Sequence, residues 1–125
     1  MQQRRSLVCA ALLVAASLLP GAARTWAAET KGWTVLGQQG LVRFVIVPME
    51  QAADKGAYER EIVALCEPER TCFLNFYTNS TRAVAELPLP DAISNEATAT
   101  YRRSMKNGVQ IFSWSCRMKM PGDCF

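Results

Sequence analysis

The chain is 125 residues long, half of them hydrophobic and a fifth charged, with a net charge of +3 and no histidine. Without histidine there is no Ser-His-Asp or Cys-His catalysis, and the commonest metal ligand is missing. All three arginines that stand before residue 28 lie in a leader-like segment; the remainder balances eleven basic against eleven acidic residues. A neutral remainder lacks the positive surplus that steers a protein to nucleic acid, so a nucleic-acid partner is disfavoured.

Residues 1–27 read as a cleaved signal peptide. Arg4 and Arg5 give a basic start, residues 6–19 form an apolar run that contains Cys9, and Pro20-Gly21 breaks it. Thr25-Trp26-Ala27 then supplies small residues at the cleavage positions. The run is shorter than the roughly 20 residues a bilayer span needs, so membrane contact is expected only in transit. Arg4-Arg5-Ser6-Leu7-Val8 also resembles a twin-arginine export signal, with ordinary export the preferred reading. Residues 28–125 are then one small domain, periplasmic or secreted.

Four cysteines remain after residue 27, namely Cys66, Cys72, Cys116 and Cys124. An even count in an exported chain favours two disulfides. Three pairings are open. Cys66–Cys72 with Cys116–Cys124 is favoured because each closes a short loop; the main rival joins Cys66 or Cys72 to Cys116. Neither spacing matches the knuckles of a structural zinc site, and no metal or other cofactor is expected.

In chain order, residues 31–36 form a short aromatic and β-branched run before the turn Gln38-Gln39-Gly40. Residues 41–47 form the clearest strand, stopped by Pro48, and the two runs suggest a hairpin. Residues 56–66 read as a helix whose buried stripe is Tyr58, Ile62, Leu65 and Cys66, with Glu59, Arg60 and Glu61 toward solvent. Residues 72–78 form a further apolar strand, and Asn79-Ser80-Thr81 a turn that also matches a glycosylation sequon. Leu87-Pro88-Leu89-Pro90 is extended. Asp91 is expected to cap a second helix over residues 92–106, with Ile93, Ala97, Tyr101 and Met105 on its buried side; Asn107-Gly108 ends it. Residues 109–118 alternate as a last strand, with Phe112, Trp114, Cys116 and Met118 on one face. The order β-β-α-β-α-β gives an α+β two-layer sandwich, a four-stranded, largely antiparallel sheet with two helices on one face.

Little catalytic chemistry is on offer. There is no C-x-x-C motif and no phosphate-binding glycine loop. Carboxylate pairs could hydrolyse glycosidic bonds, with Glu50, Glu59, Glu61, Glu67, Glu69, Glu86, Asp91 and Glu96 as candidates, yet most sit where a surface helix or cap places acids anyway. Polar residues set among apolar strand residues point instead to a contact surface on the open face of the sheet. The candidate binding residues are Arg43, Phe73, Asn75, Tyr77 and Arg117, an aromatic-plus-arginine set of the kind that recurs at protein interfaces. The expected function is therefore a small, exported, non-catalytic binding module such as an inhibitor, an immunity factor or an accessory subunit. Its partner would be another protein, a second copy of the chain included. The alternatives are a structural envelope-associated protein and, further behind, a carboxylate-dependent hydrolase.

Overall fold

A computed structural model describes residues 32–125; the leader reading of residues 1–27 lies outside the described residues. The chain from Trp33 onward runs β1 (Thr34–Gln39), β2 (Val42–Ile46), α1 (Lys55–Leu65), β3 (Cys72–Tyr77), α2 (Asp91–Ser94), β4 (Ala97–Arg103) and β5 (Gln110–Trp114). The five strands form one sheet in the order β1-β2-β3-β4-β5. β1 and β2 make the hairpin, β3–β4 and β4–β5 are antiparallel, and β2 and β3 are parallel, joined by the α1 crossover. The class is α+β with a mostly antiparallel open sheet, carrying one strand more than the sequence suggests. No helix among the described residues is long and apolar enough to cross a membrane.

The extra strand is β4, which occupies the stretch expected to be helical. Only Asp91–Ser94 is helix, and Pro90, not Asp91, holds its N-cap position without a side-chain bond. A spacing of four residues satisfies two repeats of a strand as well as one helical turn, so Ala97 and Tyr101 fit either period. Thr98 and Thr100 tip the segment toward a strand, because β-branched side chains suit a pleated surface better than a helix. The last strand is also shorter than expected. It stops at Trp114, and Cys116–Met118 is a 3-10 turn.

α1 lies over one face of the sheet. Asp54 starts it by accepting a bond from the Ala57 N–H at 3.3 Å, and Tyr58, Ile62 and Leu65 bury the expected stripe. Glu61 departs from expectation, being only 3 % exposed, with a partner of its own. The core beneath α1 is Trp33, Val45, Val47, Leu74, Phe76, Ala99, Tyr101 and Trp114.

Tyr58 stands at its centre, with no exposed surface. Its ring meets Trp33, Phe76, Phe112 and Trp114 edge-on at centroid distances of 5.2, 5.0, 5.5 and 5.1 Å. Its hydroxyl lies 2.7 Å from the Ala52 carbonyl and 2.9 Å from Thr98 Oγ1. A phenol has one proton to give and a carbonyl can only accept, so Tyr58 donates to Ala52 and receives from Thr98. Burial pushes the hydroxyl up to about 12, against the opposing effects of the Thr98 bond and the Arg117 charge, and it stays neutral at physiological pH.

Both disulfides are the local pairs. Cys66–Cys72 closes the link between α1 and β3, with Cα atoms 5.7 Å apart. Cys116–Cys124 folds the C-terminal segment back, so that Phe125 N–H donates to the Trp114 carbonyl along the outer edge of β5. Two disulfides in a domain of this size fit an oxidising environment.

Tyr58→Phe is expected to cost about 1–3 kcal/mol, the penalty for leaving the buried Ala52 carbonyl and Thr98 hydroxyl short of a partner. Tyr58→Ala should cost about 3–5 kcal/mol through the cavity left among four rings. Denaturant unfolding of the oxidised protein measures both.

Candidate functional site

Strand alternation gives the sheet two unlike faces. Arg43, Val45 and Val47 of β2 and its extension point toward α1, together with Cys72, Leu74 and Phe76 of β3. Val42, Phe44 and Ile46 point the other way, with Phe73, Asn75 and Tyr77 beside them in register. On β4 the same face carries Thr100 and Arg102, and on β5 Ile111 and Ser113. α1 leaves this second face free.

Part of that free face is occupied by the connection between β3 and β4. A Cβ on Gly37 would lie 2.9 Å from Leu87 Cδ1, so the bare glycine is what lets Leu87 settle against β1. Gly37 is paired with Phe44, whose ring stacks on Tyr77 at 6.1 Å and 17°. Tyr77 is accordingly buried. Asn79 ties the start of this connection, donating through Nδ2 to the Ala83 carbonyl at 2.8 Å and accepting from Ala83 N–H at 3.0 Å. An amide nitrogen engaged in this way is a poor glycan acceptor.

The rest of the face is a connected polar and aromatic cluster. The Arg102 guanidinium lies over the Phe73 ring, 5.5 Å from its centroid. It also donates to Asn75 Oδ1 at 2.6 Å and to the Leu74 and Tyr101 carbonyls at 2.9 Å each. Asn75 passes the chain on, donating to the Tyr77 hydroxyl at 3.3 Å. Burial lowers the Arg102 pKa, with Tyr77 acting in the opposite sense, and the group remains a cation as arginine does. Among the described residues no carboxylate pairs with it. Ile111, its register neighbour on β5, is 52 % exposed.

Three of the five residues expected to form a contact surface therefore do meet, namely Phe73, Asn75 and Tyr77. The other two stand elsewhere. Arg43 is on the α1 face, where its terminal nitrogen donates to the Leu65 carbonyl at 2.6 Å and to Cys72 Sγ at 3.3 Å. Arg117 lies beyond the far end of β5, donating to Thr78 Oγ1 at 3.1 Å and facing Glu96 at 4.0 Å. The residue that sequence reasoning missed is Arg102. In a helix over residues 92–106 it lies off the buried side of Ile93, Ala97, Tyr101 and Met105, whereas strand alternation with Thr100 turns it onto the free face.

Two hollows flank the sheet. One, of about 320 Å³, opens where β2 and β3 begin and is lined by Gln38, Leu41, Arg43, Leu65, Thr71 and Phe73, with Glu67 and Arg70 at its rim. Phe73 joins it to the Arg102 cluster. The other, of about 590 Å³, lies between α1 and β4–β5 and has Ile62, Tyr101 and Phe112 as an apolar floor. No group of three or more acidic or cysteine side chains suited to a metal ion occurs among the described residues.

At the opposite end of the sheet, Glu96 organises the turn after β3. Burial favours its neutral form, but bonds from Ser80 and Thr78 and the charge of Arg117 outweigh it and hold the carboxyl below the usual range. Thr78 Oγ1 donates at 2.9 Å and Ser80 N–H at 3.1 Å. This shift is opposite to the one a general acid needs. A carboxyl depressed in the folded state adds stability that is complete above the unfolded glutamate value, about 4.3, and is lost as pH falls through the folded pKa. Wild type should therefore lead Glu96→Gln in melting temperature at pH 7, and the lead should shrink steadily between about pH 4 and pH 2. Thermal melts of the two proteins across that range test this.

Compared with known proteins, the chain matches no family model, no curated protein and no solved structure, so its site is read from these side chains alone.

Proposed function

We propose that this is an exported, periplasmic or secreted, non-catalytic binding module that engages another protein through the free face of its sheet around Arg102, Phe73 and Asn75. The observation that carries the reading is the half-buried Arg102, set over an aromatic ring and paired with no carboxylate among the described residues. Removing a guanidinium from water without an opposite charge is unfavourable, and a partner's carboxylate or carbonyl groups would offset that cost on docking. Arginine and aromatic side chains are also enriched at protein interfaces relative to the rest of the surface. Exposed Ile111 beside it gives the patch an apolar shoulder. The two disulfides and the leader-like residues 1–27 support the compartment.

The test is affinity capture on the immobilised, oxidised protein from an envelope extract of the source cells. A defined partner should be retained by wild type and lost by about tenfold or more with Arg102→Gln or Phe73→Ala, the effect of truncating an interface hot spot. Thermal melts must show both variants folded. Equal retention by wild type and folded variants rejects the surface, and hydrolysis of envelope material with nothing retained rejects the non-catalytic reading.

Export has its own measurement. Intact-mass analysis of native protein should give a chain that begins near Ala28, with no thiol open to alkylation. A retained Met1 with four free thiols after residue 27 would contradict it.

A further inference from the structure

We infer that the hollow at the start of β2 and β3 is a carboxylate-binding site, and that it fits the terminal carboxylate of a peptide ending in an aliphatic residue. This goes beyond the open-face contact, since it uses a different arginine, on the other side of the sheet.

Arg43 carries the argument. It is a half-buried cation with no carboxylate partner among the described residues, and only one of its terminal nitrogens is engaged. Nη2 is spent on the Leu65 carbonyl and Cys72 Sγ, so the N–H donors left for a ligand are those of Nη1 and Nε. The side chain is already held in place. Its bonds to the Leu65 carbonyl and Cys72 Sγ tie it to the last residue of α1 and the first of β3, the two segments that the Cys66–Cys72 disulfide joins. A ligand therefore meets a fixed group and need not order a floppy one.

The rest of the lining suits an anion with an apolar neighbour. Thr71 Oγ1 accepts from Met105 N–H at 3.1 Å, so its own proton is available to donate. Arg70 adds a second cation at the rim, loosely held by Glu67 at 3.7 Å with both side chains largely in solvent. The lining thus has two guanidiniums against one carboxylate. Leu41, Leu65 and Phe73 supply apolar wall, and the volume of about 320 Å³ admits an amino-acid-sized group. A singly charged carboxylate matches the net single positive charge of this lining, whereas a phosphate group carries a larger charge at neutral pH and leaves the apolar wall unused.

The experiment titrates the oxidised, full domain with N-acetyl-leucine, N-acetyl-leucine amide and inorganic phosphate at constant ionic strength, and follows the Arg43 Nε–H and the Thr71 and Cys72 backbone signals by NMR. N-acetyl-leucine should shift these signals saturably, with an affinity about tenfold or more above that of the amide. Acetate should bind more weakly than N-acetyl-leucine but at the same signals, which separates a peptide terminus from a small free acid. Arg43→Met should abolish the shifts. Because that variant also loses the two anchoring bonds, Arg70→Gln at the exposed rim is the second variant, expected to weaken binding about two- to fivefold in a fully folded protein. Lys119→Gln, at the opposite end of the sheet, should leave binding unchanged. Equal shifts by acid and amide, equal or tighter binding of phosphate, or no saturable shift with wild type would each overturn the assignment.

Discussion

The fold depends on one side chain that satisfies two demands at once. Tyr58 is the α1 side chain that meets the rings of Trp33, Phe76, Phe112 and Trp114 together, and that contact buries it. Being a phenol, it must also find partners for its hydroxyl, and both are non-local: Ala52 before the helix and Thr98 on β4. The ring contacts fix how closely α1 approaches the sheet, and the hydroxyl fixes where along the sheet it sits. Neither alone would do both, since edge-on ring contacts tolerate sliding and a hydroxyl bond tolerates tilt. Everything on the two faces of the sheet inherits its position from this anchor.

Placing α1 in this way determines which arginines can be free. The crossover from β2 through α1 to β3 ends in the short link closed by Cys66–Cys72, and the link presents the Leu65 carbonyl and Cys72 sulfur to Arg43. On the other face, the absence of any α1 contact leaves Phe73 and Asn75 as a platform, which Arg102 covers from the neighbouring strand. The connection between β3 and β4 then closes off the Tyr77 end through Leu87 and Gly37. What stays accessible is the end of the sheet where β2 and β3 begin. The candidate surface and the hollow share that end for a topological reason: both are bounded by the first residues of β3, where alternate side chains Cys72 and Phe73 turn to opposite faces.

Local pattern in the sequence was enough to place β2, α1, β3 and the hairpin, because their hydrophobic periods are unambiguous. Short loop closure also favoured the disulfide partners that form. Residues 97–103 were not readable in the same way. Ala97 and Tyr101 are separated by four, a number that both periods accept, and the decision falls to tertiary pairing with β3, which no local window contains. Glu61 is a different case: residues 58, 61, 62 and 65 stand at i, i+3, i+4 and i+7, so its phase put it on the buried stripe and only its charge argued for solvent. For the site, alternation correctly put Phe73, Asn75 and Tyr77 on one face. It could not relate the phase of β2 to that of β3. The parallel register of Arg43 with Leu74, fixed only by the crossover, sends Arg43 to the opposite side. Arg102 was lost for a single reason, that its segment had been given the wrong period.

Net charge was the least informative number in the chain, and the arginine bonds explain why. Arg43 donates to the Leu65 carbonyl, Arg102 to those of Leu74 and Tyr101, and Arg103 to those of Arg70 and Glu67. Each of these bonds holds the fold while leaving the positive charge uncancelled, because a carbonyl carries a dipole and no net charge. The acids that balance the total are mostly placed elsewhere: Glu96 is engaged by Ser80, Thr78 and Arg117 at the far end, and Glu59 and Asp54 pair with Lys55 and Arg60 on the outside of α1. Among the described residues only Glu67 forms an ion pair beside the hollow, and it does so in open solvent, where screening reduces its effect on Arg43. A stretch that is balanced in charge from residue 28 onward thus carries an electropositive end. Its attraction for an anion is local, acting over about a Debye length of 8–10 Å, which suits recognition of one carboxylate and would not steer a polyanion.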